Sequence, residues 1–134
     1  RSMEITTTTE NTKFPITVMH VNGDIDSTTS QAFKSEIEEL ISDGARRILV
    51  DLSHVPFISS AGLRAIHNIF NQLRALHKDA DDDALRKNMS AGMYKSPYLK
   101  VANLSPKLKE VFELGGFDTY IEIHNDVNKA VNSF

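Results

Sequence analysis

Residues 47–66 read RILVDLSHVPFISSAGLRAI, a stretch that passes from a hydrophobic strand into a helix. The segment at 47–52 is nearly continuous in apolar residues, which is typical of a central strand covered on both faces. From Leu63 to Leu73 the apolar residues recur at helical spacing. Two adjacent serines, Ser59 and Ser60, lie between these elements. The stretch therefore predicts a strand–loop–helix unit with hydroxyl groups at the start of the helix.

Upstream of this unit, two segments have the composition of β-strands. Met3–Glu10 is rich in threonine, and Phe14–Val21 is rich in β-branched residues. The residues between them, at 11–13, suit a hairpin turn. We therefore expect the first two strands to pair antiparallel.

A helix is expected between this hairpin and the central strand. Ser27 or Thr28 is expected to cap it, because serine and threonine side chains accept hydrogen bonds from free amides of the first turn. Its apolar positions recur at helical spacing up to about Asp43. Gly44 then fits the position just past the helix end.

Downstream, strand and helix signals alternate twice more. The sequence predicts a strand at Tyr98–Ala102 and a helix opened by Ser105-Pro106, because proline is favoured in the first helical turn. A further strand is predicted at Tyr120–Ile123, and a closing helix carries an apolar stripe from Val127 to Phe134. The order β-β-α-β-α-β-α-β-α predicts an α/β fold with one mixed, mostly parallel sheet of about five strands and helices packed against it.

We expect a single domain over residues 3–134, since a chain of 134 residues can bury one core of ordinary size. Residues 1–2 are expected to be a cloning remnant. Residues 77–97 are the one irregular stretch, charged and long for a connection inside a compact domain. Part of it is predicted as a short helix from Ala84, with the aspartates at 81–83 in its first turn.

Composition excludes several classes of function. The chain has no cysteine, which excludes disulfides, thiolate catalysis and cysteine-ligated zinc. A net charge of −3 gives no broad basic surface, so direct binding to nucleic acid is not expected. No apolar stretch approaches the roughly 20 residues that span a bilayer, and no signal peptide is visible. We therefore expect a cytoplasmic protein that does not bind membranes.

The serine loop admits three interpretations. In the first, one serine caps the following helix, and Gly62 lets the backbone approach closely or adopt an unusual turn. In the second, Ser60 is a hydrolase nucleophile on a strand-to-helix turn. Gly62 matches the trailing glycine of that motif, but isoleucine occupies position 58, and His67 lies nearly two turns along the helix. We therefore expect no enzymatic activity and no catalytic residues.

In the third interpretation the loop is a phosphorylation switch. A hydroxyl at a helix N-terminus tolerates an added phosphate, because free amides and the helix dipole favour negative charge. Phosphorylation adds about −1.5 to −2 charges at neutral pH. On an exposed docking surface this charge abolishes binding through repulsion and desolvation without unfolding the domain.

Three segments together resemble one known family. VDLSHVPFISSAGLRAI (50–66), VNGDID (21–26) and YLKVANLSPKLKEVFELGGFDTYIEI (98–123) resemble, in order and spacing, the STAS domains of bacterial anti-sigma factor antagonists. The resemblance implies a STAS-like fold and a role in partner switching. In the family, the unmodified protein binds an anti-sigma factor that is also a serine kinase, and thereby frees a sigma factor for transcription. The kinase phosphorylates a serine of the signature loop, and a PP2C-type phosphatase removes the phosphate.

The resemblance also implies which residues act. The family motif D-S-[S/T]-G-L falls on Ser59–Leu63. The phosphorylated residue is therefore expected to be Ser60, with Ser59 as the less favoured alternative. The family usually has aspartate where this chain has Ser59, and a hydroxyl residue where it has Ala61. The expected partner-binding residues are the last aspartate of the VNGDID segment, the five residues of the motif and the residue that follows the motif. They are Asp26, Ser59, Ser60, Ala61, Gly62, Leu63 and Arg64.

An alternative within the family stays open. Because aspartate is missing before Ser60, the chain is also compatible with a STAS module that is not phosphorylated and binds a nucleotide or other small ligand, or scaffolds a sensory complex. A weak homodimer is compatible with the sequence as well. No cofactor or metal is expected: the aspartates at 79, 81 and 83 resemble the opening of a calcium loop, but its glycine and glutamate are missing at 84 and 90.

Overall fold

A computed structural model describes residues 3–77 and 94–134 of the chain. In chain order its elements are β1 Glu4–Asn11, β2 Pro15–Asn22, α1 Ser30–Ser42, β3 Ile48–His54, α2 Ser60–Leu76, β4 Leu99–Ala102, α3 Pro106–Leu114, a 3-10 turn at Phe117–Thr119, β5 Glu122–His124 and α4 Val127–Asn132. The α/β fold and the order of strands and helices predicted from the sequence are confirmed.

The five strands form one mixed sheet in the order β1-β2-β3-β4-β5. β1 and β2 pair antiparallel, with Asn11 opposite Pro15, as expected for a hairpin. The pairs β2–β3, β3–β4 and β4–β5 are parallel. Because β2 and β3 are parallel neighbours, the loops that follow them leave the sheet at the same edge. The VNGDID segment and the serine loop are therefore adjacent in space.

Helices cover both faces of the sheet. The larger core contains residues of α1, α2 and α3, among them Phe33, Phe70 and Phe112, packed with alternate residues of the strands. A smaller core on the opposite face contains Ala130 and Val131 of α4, which pack with strand residues from β2, β3 and β4. The alternation of side chains along each strand separates the two cores.

The smaller core includes a buried lysine that fastens α4 to the sheet. Lys100, on β4, is only 3% exposed. Its Nζ donates to Glu122 Oε1 at 3.1 Å, to the Ser133 carbonyl at 3.0 Å and to Ser133 Oγ at 2.9 Å. The buried charge is thus paired and fully hydrogen-bonded, the condition under which a buried ammonium group is tolerated.

Helix α1 begins later than the sequence predicted. It starts at Ser30, and its N-cap residue Thr29 makes no side-chain cap bond. Asp26 Oδ1 instead accepts hydrogen bonds from the amides of Thr28 and Thr29, at 2.9 and 3.1 Å, and from the Thr28 hydroxyl at 2.7 Å. The expectation that Ser27 or Thr28 caps the helix is wrong, because Asp26 holds the residues that follow it in a turn.

The last strand is also displaced from its prediction. β5 spans Glu122–His124 rather than Tyr120–Ile123. The amides of Tyr120 and Ile121 donate to the Phe117 carbonyl, at 3.3 and 3.0 Å, and so complete the 3-10 turn. Backbone groups engaged in this turn are not free to join the sheet, which delays the strand.

The predicted irregular stretch at 77–97 falls largely outside the described residues, as do the short helix from Ala84 and the aspartates at 79–83. Its two ends are anchored. The His77 ring stacks on Tyr98 with centroids 3.6 Å apart, and Ser96 Oγ accepts the Leu99 amide at 3.1 Å. Among the helices of the described residues, none is both long enough and apolar enough to cross a membrane.

Candidate functional site

The serine loop between β3 and α2 is tied to the loop between β2 and α1. The Ile25 amide donates to the Phe57 carbonyl at 3.0 Å, and the Ser59 amide donates to the Ile25 carbonyl at 2.9 Å. Ile25 and Ile58 also form an isolated parallel bridge, and both side chains are buried. The two loops therefore behave as one unit, with the serine loop fixed just before its two serines.

Ser59 is the N-cap residue of α2. Its backbone is extended (φ −85°, ψ 174°), and its Oγ accepts a hydrogen bond from the Gly62 amide at 3.2 Å. Its carbonyl accepts the Leu63 amide at 3.0 Å. Such a cap contributes about 1 kcal/mol to stability. Capping thus accounts for one serine of the pair.

Ser60 is the first residue of α2 and is exposed. Within residues 3–77 and 94–134, its side chain has no hydrogen-bond partner. Because Ser59 already caps the helix, the Ser60 hydroxyl is free for chemistry or for contact with another protein. The two serines therefore differ in environment although they are adjacent in sequence.

Gly62 permits the close contact between α2 and the neighbouring loop. A Cβ atom at this position would lie 2.8 Å from the Ile25 carbonyl oxygen and 2.9 Å from the Cγ2 atoms of Ile25 and Ile58. Real Cβ atoms do not approach backbone oxygens so closely, so a side chain here would push the helix away from the loop. Glycine is required here by packing.

Asp26 lies in the neighbouring loop and organises it. Besides the bonds that hold the turn before α1, its carbonyl accepts the Ser30 amide at 2.8 Å. Hydrogen bonds from the Thr28 side chain and amide, followed by those from Thr29, outweigh desolvation and lower the pKa of the Asp26 carboxyl. Asp26 is thus a charged residue at the edge of the serine loop. Its Oδ1 already accepts hydrogen bonds from Thr28 and Thr29.

The remaining predicted site residues divide by exposure. Arg64 is exposed, whereas Ala61 and Leu63 are half-buried and Leu63 packs against the larger core. The structure thus brings the predicted residues together at the start of α2 and the adjacent loop. Among them, Ser60 and Arg64 are exposed.

Sequence reasoning did not identify Phe57 as a site residue. Its side chain is 48% exposed, between the buried residues Val55 and Ile58 and next to exposed Pro56. Aromatic side chains with exposed surface are common anchors of protein interfaces. The feature of the sequence that could have indicated its exposure is an aromatic residue directly after a proline, in a short loop.

A cavity of about 590 Å³ lies between the two loops. It is lined by residues of both loops and by the residue before α3, including Asp24, Asp26, Thr28, Ser53, His54 and Ser105. Two carboxylates line it, and no lysine or arginine of the described residues does. A phosphate group would therefore find two carboxylates and no lysine or arginine counter-ion among the described residues of this cavity.

The histidines have partners other than Ser60. His67 Nδ1 lies 2.8 Å from the Tyr120 hydroxyl, and burial lowers the pKa of the His67 ring. His54 Nδ1 lies 3.1 Å from Ser53 Oγ, and His20 Nδ1 lies 2.7 Å from Asp51 Oδ2. The other two, His77 and His124, bond to Arg46 O and to Glu122. In the described part of the chain, no histidine is placed to activate Ser60 as a nucleophile.

Comparison with known proteins gives a consistent assignment. The sequence model of the family described as STAS domain matches residues 5–77, more than half of the chain. BtrV of Bordetella bronchiseptica, named as a candidate anti-sigma factor antagonist, is 26% identical over 114 residues, which cover 85% of this chain and 82% of BtrV.

Two solved structures share the fold. An anti-sigma factor antagonist from Mycobacterium paratuberculosis superposes with a TM-score of 0.67 at 22% identity, covering 97% of this chain and 93% of that one. SpoIIAA of Bacillus, solved in its phosphorylated form, superposes with a TM-score of 0.60 at 16% identity, covering 95% of this chain and 97% of SpoIIAA. At these identities the likeness concerns the fold.

Proposed function

The chain belongs to the STAS domain family, and we propose that it is an anti-sigma factor antagonist that binds its anti-sigma factor through the surface around Ser60. The observation that carries this proposal is the free, exposed hydroxyl of Ser60 at the start of α2. The likeness to BtrV, which extends over most of both chains, supports the same function. In this role the protein is a substrate of a kinase and catalyses no reaction itself.

The docking surface, in this proposal, consists of Phe57, Ser60 and Arg64. All three side chains are exposed and lie in the serine loop or within the first five residues of α2. Asp26, Ser59 and Gly62 act differently: they hold the two loops in place through hydrogen bonds and close packing. Exposed aromatic and arginine side chains commonly supply most of the binding energy of an interface, so we assign that role to Phe57 and Arg64.

Phosphorylation of Ser60 is proposed as the switch. The kinase would be the anti-sigma factor itself, and a PP2C-type phosphatase would reverse the modification. SpoIIAA, which shares the fold, exists in a phosphorylated form. A phosphate adds about −1.5 to −2 charges in the middle of the docking surface. Because the Ser60 hydroxyl supports no contact of the fold, the charge would exclude the partner and leave the domain folded.

The geometry favours Ser60 over Ser59 as the phosphorylated residue. The Ser59 Oγ is half-buried and accepts the Gly62 amide, so a kinase would have to break the cap to reach it. Losing that cap costs about 1 kcal/mol. Ser60 can be modified without any such loss, which makes it the better substrate.

The proposal is tested by binding measurements with phosphoserine installed at position 60 during translation. Unmodified protein is expected to bind an anti-sigma factor encoded in the same genome, and phosphoserine at position 60 is expected to weaken binding at least about 100-fold. As a control, Asn128→phosphoserine places the same charge on α4, across the sheet, and should leave the affinity unchanged. If the unmodified protein binds no anti-sigma factor encoded in the same genome, the proposed function is wrong. If the protein with phosphoserine at position 60 binds the anti-sigma factor as tightly as the unmodified protein does, the proposal that the phosphate charge excludes the partner is wrong.

The alternative function, binding of a nucleotide by an unphosphorylated module, lacks a supporting observation. The cavity of about 590 Å³ beside the serine loop is lined by Asp24 and Asp26 and by no cation of the described residues. Nucleotide phosphates bind where amides or cationic side chains compensate their charge. Titration with ATP and GTP tests this directly, and saturable binding would favour the alternative.

A further inference from the structure

We propose that Arg64 is the internal counter-ion of phosphoserine 60. In the unmodified protein the Arg64 guanidinium is available to the partner, whereas after phosphorylation it binds the phosphate one turn away on the same helix. This inference rests on the proposed function, in which Ser60 is phosphorylated. It adds a second effect to the switch: the phosphate both introduces negative charge and removes a cation from the docking surface.

Ser60 and Arg64 lie on the same exposed side of α2. Ser60 and Arg64 are four positions apart and both exposed, whereas Gly62, Ala65 and Ile66 are buried. Side chains at this spacing are neighbours on the helix surface, with Cβ atoms about 5–6 Å apart. Long side chains on a helix extend toward its N-terminus. The Arg64 side chain is therefore long enough, and suitably placed, to reach a phosphate on Ser60.

Arg64 has no partner among the described residues. Across residues 3–77 and 94–134 it forms neither an ion pair nor a side-chain hydrogen bond. Lys34 on α1, by contrast, is engaged, because its Nζ lies 3.8 Å from Glu38 Oε2. Arg64 can therefore bind a new anion without breaking an existing contact.

The surroundings of Arg64 contain a second cationic side chain. Arg64 and Lys34 both line a cavity of about 170 Å³ between α1 and α2, together with Ser30, Gln31 and Asn68. None of its lining residues is a carboxylate. This cavity thus has two cationic side chains in its lining, of which Lys34 is paired with Glu38, in a protein whose net charge is −3. A dianion on Ser60 would lie one turn from Arg64, whereas the nearby Asp26 carboxylate already accepts hydrogen bonds from Thr28 and Thr29.

The chemistry of the pair is favourable. Arginine binds phosphate through two parallel N–H···O hydrogen bonds, which lysine cannot reproduce. An acid placed four residues before a base is also the preferred orientation on a helix. Phosphoserine 60 and Arg64 satisfy both conditions. The ion pair is therefore expected to stabilise the first turns of α2 in the phosphorylated protein.

The test uses the full chain with phosphoserine installed at position 60, so that no kinase is required. The second pKa of the phosphate is measured by 31P NMR in low salt. A nearby cation favours the dianion and lowers this pKa. Arg64→Gln is therefore expected to raise it by about 0.3 pH units, the shift that corresponds to one helical ion pair. Lys129→Gln removes the same charge from α4 and should not change it.

A second readout separates the specific pair from a general effect of charge. Arg64→Lys keeps the charge but loses the paired hydrogen bonds, so its phosphate pKa should lie between those of the parent protein and Arg64→Gln. If Arg64→Gln leaves the phosphate pKa unchanged, or shifts it no more than Lys129→Gln does, Arg64 is not the counter-ion. Partner binding is measured separately, so failure of the proposed function would appear as absent binding by the unmodified protein, while the pKa shift would be unaffected.

Discussion

The Ser59 hydroxyl accepts the Gly62 amide at 3.2 Å, and this one bond distinguishes the two adjacent serines. Ser59 satisfies an amide of the first helical turn that would otherwise lack a partner. Ser60, one position later, begins the helix and points away from the core. A structural hydroxyl and a free hydroxyl thus occur side by side, which allows the loop to be modified without losing its cap.

Because only Ser59 caps the helix, alanine substitutions at Ser59 and Ser60 should have different effects on stability. Ser59→Ala removes the cap and should lower the free energy of unfolding by about 1 kcal/mol. Ser60→Ala removes no contact and should change it by less than about 0.5 kcal/mol. Urea unfolding of both variants under the same conditions measures the difference. Equal losses in the two variants would contradict the assignment of Ser59 as the cap.

Gly62→Ala should destabilise the protein although alanine is the better helix former. Helix propensity alone favours alanine by about 1 kcal/mol. The new Cβ, however, would lie 2.8 Å from the Ile25 carbonyl oxygen, and overpacking of this kind costs about 1–3 kcal/mol. We therefore expect a net loss in urea unfolding, of about 1 kcal/mol, together with weaker partner binding as α2 moves away from the loop. A gain in stability would show that this contact is easily relaxed.

The order of elements could be predicted because hydrophobic periodicity reports directly on burial. The segment at 47–52 is apolar on both faces because β3 lies in the middle of the sheet, and α2 shows a helical repeat because one side of it faces the larger core. Ser105 was also identified correctly as a helix start: it caps α3, accepting the Leu108 amide at 3.2 Å. Patterns of this kind depend on many residues and tolerate local exceptions.

Details that depend on competition between neighbouring hydrogen bonds could not be predicted. Ser27 and Thr28 have the chemistry of helix caps, but Asp26 binds the Thr28 amide and hydroxyl and shifts the helix start. Likewise, only coordinates reveal which of two adjacent serines accepts the Gly62 amide, because a shift of one residue rotates the side chain by about 100° around the helix. The exposure of Phe57 depends on the path of its loop, which periodicity does not describe.

Phe57 is predicted to be an anchor of the docking surface. Phe57→Ala should weaken binding of the anti-sigma factor by about 30-fold, the effect of losing one aromatic anchor. Leu114→Ala is the matched control, since Leu114 is 83% exposed on α3. Isothermal titration calorimetry on both variants measures the effect, with thermal unfolding to confirm that each is folded. If the two variants bind equally well, Phe57 lies outside the interface.

Asp51 is predicted to make stability depend on pH. Burial works to raise the pKa of its carboxyl, but hydrogen bonds from Asn103, His20 and Ser53 outweigh burial and hold the pKa below its ordinary value of 3.8. A carboxyl whose pKa is lowered in the folded state stabilises the protein at higher pH. This contribution is present above about pH 4 and is lost as the pH falls through the lowered pKa of the folded state.

Asn103→Gly tests this dependence, because it removes the amide that donates to Asp51 Oδ1 at 3.1 Å. Asn103 has a φ of 63°, which glycine adopts without strain, so the backbone is preserved. The loss in free energy of unfolding should be about 1 kcal/mol larger at pH 7 than at a pH below the lowered pKa of Asp51, since the bond is strongest to the ionised carboxylate. Urea unfolding across this range measures it. In an Asp51→Asn background the same substitution should cost an equal amount at both pH values, and a pH-dependent cost there would assign the effect to another group.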